Sequence, residues 1–335
     1  MRASLILVAL AATIITVSQG HSAEKLLVST ASGGSSAVAA TIAKELNFFE
    51  ASGLEVTLFD AGGGNNAVST LVNGEAQLSI VGIRNASKPV EKGLDLKIIG
   101  VDTTSLTQLI FIRADLLDPS RPRQTLAEKG VLLKGKKIAV NDIGGSSGEF
   151  ARYALAAAGL GERDATILNI NSAAARLTAL RAKRIDAIVG SSPEPEIAEL
   201  EGFGRVLVDP VKDIPEIRDI ASTVQLVRAD YLKTHAGVIK AYLGAIDKAR
   251  QVLRSDPDRA KIAYYASLKR EANGVELDSK VRDLAWVTVV AATAPSGVLT
   301  PGQYQRAQQF FKIPASVTYD AFIDNTIASS LKASN

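Results

Sequence analysis

Cysteine is absent from all 335 residues. Disulfide bonds, thiol catalysis and a lipid carried on an N-terminal cysteine are thereby excluded. Histidine is almost as scarce, at two residues. His235 alone lies beyond the N-terminal segment, at a helix start after KT, where it reads as structural rather than catalytic. Without a histidine or cysteine cluster no catalytic residue, metal or cofactor is expected. The phosphate-binding pattern GxxxxGK followed by Ser or Thr does not occur. Aromatic residues make up 5% of the chain, and its one tryptophan, Trp286, stands in a helical run with Val281 and Ala285 that reads as packing. Excess charge of one sign is also missing: 38 basic residues face 35 acidic ones. No run of Lys or Arg is long enough to neutralise several phosphates, which excludes nucleic acid as the expected partner.

Long apolar runs are lacking except at the N-terminus, MRASLILVALAATIITVSQGHSAEK. Arg2, the apolar stretch to Val17, and small residues with no acid before Glu24 have the pattern of a cleavable secretory signal peptide, residues 1–22. The stretch is shorter than the roughly 20 residues that span a bilayer. Gly20 and Ser22 suit cleavage after Ser22, with Ala23 the neighbouring choice. The expected product is soluble and periplasmic, without a lipid anchor.

What is present is said twice. GGSS occurs at 33–36 and at 144–147, each time between a strand-like and a helix-like run. Two further markers repeat in order, SIVG with AIVG and IRADLL with VRADYL, ending at Gly82 and Gly190 and carrying Arg113 and Arg228. Three repeats in register argue for two similar lobes. Strand-like runs at 26–30, 55–59, 77–81 and 96–101 are matched by others at 137–140, 166–170, 185–189 and 205–208. Helical spacing lies between them, so each lobe is expected to be a mainly parallel sheet flanked by helices. After Tyr231 only helices follow, the Asp256–Pro257 pair reading as an N-cap and first turn. These helices are expected to return to the first lobe. The domains are then 23–112 plus 222–335 for lobe I and 113–221 for lobe II, with crossings near Arg113 and Arg228.

In such sheets ligands bind beyond the carboxyl ends of the strands, where glycine loops lead into helix N-termini. Two GGSS loops facing each other make a clamp; each alone reads equally as a turn and cap. Ser146 and Glu149 in SSGE have the spacing of a capping box. Gly62 to Gly64 with Asn65 add a third loop. Arg84, in SIVGIRNAS, is placed to pair with an anion or simply to face solvent. Glu194, in the matching SSPEPE, either accepts from a ligand amine or complements a helix dipole.

The stretches IAKELNFFEASGLEVTLFDAGGG, LVNGEAQLSIVG, LKGKKIAVNDIGGSSGEFARYALAAAGLGERDATILNI and ARQVLRSDPDRAKIAYYA run through most of the chain. They resemble the nitrate/taurine/aliphatic-sulfonate group of solute-binding proteins of ABC importers, which are type II periplasmic binding proteins. The resemblance implies a two-lobed "Venus flytrap" with a ligand cleft between the lobes. It also implies contacts from Ser32, Gly34 and Ser35; Gly63 and Gly64; Gly82, Ile83 and Arg84; Gly145, Ser146 and Ser147; and Ser191, Ser192 and Glu194. The implied role is capture of a small anionic organic solute, sulfonate-like or carboxylate, for an inner-membrane permease and its ATPase, by a monomer. Many sulfonate and taurine binders carry Trp-Glu-Pro where this chain has SSPEP, so one aromatic packing surface is missing. Two alternatives stand beside transport. One is a periplasmic ligand sensor; the other is an enzyme related to the pyrimidine-precursor synthases, whose histidines and cysteine-rich motif this chain lacks.

Overall fold

The computed structural model describes residues 23–31, 37–118, 120, 125–271 and 276–332. The expected signal peptide and the first GGSS loop lie outside them. Ten strands form two sheets: β1 (Glu24–Thr30), β2 (Leu54–Asp60), β3 (Leu78–Gly82), β4 (Leu96–Thr103), β5 (Gln108–Arg113), β6 (Lys137–Val140), β7 (Thr166–Asn169), β8 (Ala187–Ser191), β9 (Gly204–Val208) and β10 (Thr223–Arg228). The first sheet has the order β2-β1-β3-β10-β4 and the second β7-β6-β8-β5-β9. Within each, the first three strands are parallel and the fourth, β10 or β5, runs antiparallel to both neighbours. Helices cover the sheets, and both central strands are buried over their first four residues and predominantly apolar, as burial on two faces requires.

The strands that end at Arg113 and Arg228 run antiparallel, which the sequence pattern did not indicate, and their pairing moves a boundary. Because β5 pairs with β8 and β9, residues 108–112 belong to the second sheet, and the first crossing falls at residues 104–107 rather than near Arg113. The return crossing lies within residues 209–222, ahead of β10 rather than at Arg228. Each sheet thus receives its antiparallel strand just after the chain arrives from the other lobe.

Helix Ala236–Ser255 shows why the C-terminal third returns to the first lobe. Its buried positions Ile239, Tyr242, Leu243, Ile246 and Ala249 recur at the three- and four-residue spacing of one helical face. That face packs with helix Val38–Glu45 and with Phe49, whose ring stacks on Tyr242 at 5.4 Å between centroids. Burying each of the larger aliphatic side chains among them, Ile239, Leu243 and Ile246, contributes roughly 1.5–3 kcal/mol. Asp256 caps the next helix, Pro257–Glu271, by accepting from Arg259 N at 3.2 Å. Trp286 packs near Tyr264, and His235 stacks on Tyr231, as structural side chains do. The later helices do more than complete the first lobe. Phe310, in helix Pro301–Phe310, meets Tyr153 of the second lobe at 4.7 Å between ring centroids, and Thr288 donates to Glu196 of the second lobe at 3.3 Å. The lobes therefore meet at their crossings, along these helices and at the loops described next.

Candidate functional site

The carboxyl ends of β1, β3, β6 and β8 face one another across the gap between the sheets. Two cavities lie there. A small one of about 30 Å³ is bounded by Gly64, Gly82, Asn85, Gln108, Asp142, Ser146 and Ser191, among others. A larger one of about 810 Å³ opens beside it, with Thr30, Leu58, Asp60 and Gly62 on the first lobe and Ser172, Ala174, Ser192 and Glu194 on the second. The same volume borders the N-cap residue Ala37 and one flank of helix Val38–Glu45 from the first lobe, and the first turn of helix Ala173–Arg181 from the second.

The second GGSS loop is built by the residues before it. Asp142 bends the chain leaving β6: its Oδ1 accepts from Gly144 N at 3.0 Å and its carbonyl from Gly145 N at 3.2 Å. Ser147 Oγ locks the turn, donating to Asn141 Oδ1 at 2.7 Å and meeting the Asp142 backbone. With the turn closed in this way, helix Ser146–Ala157 starts one residue earlier than the capping-box spacing requires. Gly145 is its N-cap, Ser146 makes no capping bond, and Glu149 pairs with Arg152 at 3.4 Å. The expected SSGE box is therefore replaced by an aspartate turn. Ser146 Oγ is buried and has no hydrogen-bond partner, and it borders the small cavity. Gly148 cannot carry a side chain, since a Cβ there would lie 1.9 Å from Ile143 O.

Several expected residues meet across the gap. A Cβ on Gly82 would fall 2.3 Å from Ser146 Oγ, and one on Gly145 2.6 Å from Asn85 Nδ2. Gly64 approaches Asn85 within one lobe, and Gly63, at φ +137°, would bring a Cβ to 3.3 Å from Asn141 O of the other. Ser191 borders both cavities, and Ser192 and Glu194 border the larger. Ser192 Oγ donates to Glu196 at 2.5 Å. Other residues stand elsewhere. Ile83 is fully buried in the core, its N–H bonded to Ser222 O at 2.9 Å. Arg84 turns along its own helix, donating to Ser87 and forming an ion pair with Glu91 at 2.5 Å, so it borders neither cavity. Ser32, Gly34 and Ser35 lie outside the described residues.

Glu194 has a protein partner. Arg176 grips its carboxylate with two hydrogen bonds, of 3.0 and 2.6 Å, and spends its remaining nitrogen on the carbonyls of Ile170 and Asn171. Burial pushes the Glu194 carboxyl above the usual range, and the guanidinium opposes that shift. Sequence reasoning missed Arg176, Asn85 and Asp142. The signals were slight: Asn-Asp one residue ahead of GGSS, and an asparagine directly after Arg84. Asn65 belongs to the expected third loop, Gly62 to Gly64 with Asn65.

Among the described residues no group of three His, Asp or Glu is arranged to hold a metal, and no helix is long and apolar enough to cross a membrane. The sequence profile of the family described as NMT1/THI5 like matches residues 36–260. No curated protein is similar enough to count as a match. Among solved structures, a protein of Bordetella bronchiseptica RB50 is 21% identical with a TM-score of 0.78, covering 93% of this chain and 98% of its own. The alkanesulfonate-binding protein SsuA of Xanthomonas axonopodis pv. citri, bound to MOPS, is 18% identical with a TM-score of 0.67 over 92% and 97%. The periplasmic nitrate-binding protein NrtA of Synechocystis PCC 6803 is 14% identical with a TM-score of 0.66 over 92% and 88%. These likenesses are of fold: two sheets, flanking helices and a gap between them.

Proposed function

The chain belongs to the NMT1/THI5-like family, and from that premise we propose that it is the solute-capturing component of an ABC importer. It takes a small organic molecule between its lobes in the periplasm and hands it to an inner-membrane permease driven by an ATPase. No bond is made or broken. The observation that carries this reading is the cavity of about 810 Å³, walled by strand ends and helix N-termini from both lobes. A solute touching both walls favours the closed arrangement by the difference in its contacts with the open and closed states. The binding proteins of similar fold support the reading, and the alkanesulfonate and nitrate in their names place both anions on the panel that tests it. Among the described residues the large cavity's one guanidinium, that of Arg176, is engaged by Glu194 and by backbone carbonyls.

A thermal-unfolding screen of the purified protein tests this. The panel holds sulfonates, nitrate, bicarbonate, aliphatic and aromatic carboxylates, pyrimidines and amines. A solute at a hundredfold excess over its Kd adds about 2.7 kcal/mol of stability. One chemical class should raise the melting temperature. A flat response across the panel contradicts the reading.

A further inference from the structure

Asp142 belongs to the second lobe, yet the first lobe holds its carboxylate. Asn65 donates through its backbone N–H at 3.1 Å and its side-chain amide at 2.9 Å, and Asn85 donates through its amide at 2.7 Å. Asn65 lies in the first turn of helix Gly64–Val72, where free N–H groups and the helix dipole favour negative charge. One backbone N–H and two amides converging on two oxygens would serve equally for a ligand carboxylate or sulfonate. Here the occupant is the protein's own side chain, and Asp142 is only 8% exposed. A second observation marks this corner as part of the solute site. Ser146, 7% exposed, turns an unpartnered Oγ into the small cavity that Asp142 and Asn85 also border.

The neighbouring large cavity is equally short of free positive charge. Its basic wall residues are Lys44, which donates to Val56 O at 2.6 Å, and Arg176, which is bound to Glu194. Its acidic ones are Glu45, Asp60 and Glu194. Residues 32–36, which join β1 to the next helix, carry no charged side chain. Lys88, on the helix of Asn85, faces Gly144; burial pushes its ammonium below the usual lysine value, and Asp142 and Glu149 oppose that shift.

We propose that Asp142 is the specificity-determining residue of the cleft. Its carboxylate fills the anion-binding corner of the first lobe, latches the lobes together without solute, and disfavours anionic cargo, leaving uncharged or cationic organic molecules. The cargo class rests on the solute-capture reading above; the latch does not.

The test compares wild type with Asp142→Ala and Asn65→Ala, with methanesulfonate and nitrate as probes. Without any probe, small-angle scattering should give both variants a larger radius of gyration than wild type. Methanesulfonate should bind Asp142→Ala at least about tenfold more tightly than wild type in calorimetry, because a like charge has left the corner. An unchanged radius in both variants overturns the latch. Opening with no gain in anion affinity, or a wild type that already binds methanesulfonate or nitrate as tightly as the variant, overturns the specificity. Cooperative thermal unfolding checks that each variant is folded. If Asp142→Ala fails that check, Asp142→Asn, which removes the charge and keeps one acceptor oxygen, takes its place with the same expected outcomes. A flat solute screen would remove the transport reading and leave the probe-free scattering result standing.

Discussion

The two lobes share a scaffold and differ in what they attach to it. Both sheets follow one strand order with a single antiparallel strand in fourth place. Both of those strands end in Arg-Ala-Asp, where Arg113 pairs with Asp115 and Arg228 with Asp230. The loops after the third strands, however, have parted. Beyond β3, Asn85 reaches across the gap to Asp142, whereas beyond β8, Glu194 turns back to Arg176 within its own lobe. Asn85 joins the lobes, whereas Glu194 shapes the wall of one, its neighbour Glu196 alone reaching across to Thr288. The repeat therefore preserves the sheets, while the chemistry resides in side chains that do not repeat.

The buried ion pairs sharpen this contrast most. In the first lobe Arg250 pairs with Asp102 at 3.1 Å in a network with Gln225 and Tyr242 that ties β4, β10 and helix Ala236–Ser255 together. Arg250→Ala strands a carboxylate in the core and should cost about 3–5 kcal/mol in urea unfolding. Arg176→Ala leaves Glu194 beside the cavity, where water can reach it. It should cost less, about 1–3 kcal/mol, the range for a buried group losing its partner. Equal losses would mean that both pairs serve only the fold.

The paired glycines come next. Gly82→Ala pushes a methyl group to within 2.3 Å of Ser146 in the other lobe, whereas Gly190→Ala meets the Glu194 carboxyl of its own lobe at 3.0 Å. Both have room in backbone conformation. Gly82→Ala should therefore expand the molecule in scattering and weaken solute binding by tenfold or more, about 1.4 kcal/mol, with the melting temperature little changed. Gly190→Ala should lower stability by up to about 1–3 kcal/mol without expansion. Expansion in both would contradict the division of roles.

The smallest expected effect is on pH. Burial raises the Glu196 carboxyl above the usual range, at the contact with Thr288 of the other lobe. A raised acid binds more protons folded than unfolded, so it contributes stability below the ordinary carboxylate value that is lost as pH rises toward the raised one. Asp102 and Glu194 are shifted the same way. Glu196→Gln should flatten part of that decline and leave the rest; an unaltered pH profile would remove Glu196 from the account.

Most of the scaffold was legible in the sequence because apolar periodicity reports burial. The eight strand-like runs all became strands, and Asp256 caps the helix that begins at Pro257. The antiparallel β5 and β10 were hidden, since an apolar run such as QLIFI does not state which sheet it joins; pairing partners decide that. The site was legible in outline only. Glycines at 64, 82 and 145 pointed to close approach, and the structure places each against Asn85 or Ser146. Arg84 looked available because its partner Glu91 lies two turns along the same helix, a pairing that competes locally with any ligand. Asp142 looked like a turn residue, and its second role depends on a lobe 77 positions away at Asn65.

The central claim is that solute is held between the lobes, and obstructing each wall in turn tests it most directly. Asp60→Trp on the first lobe and Ala174→Trp on the second both place a large ring in the cavity of about 810 Å³ from exposed positions. Calorimetric titration of the solute selected by the unfolding screen should show at least about a hundredfold loss of affinity in each variant, roughly 2.7 kcal/mol. Full affinity in either variant would put the site within a single lobe and contradict the account.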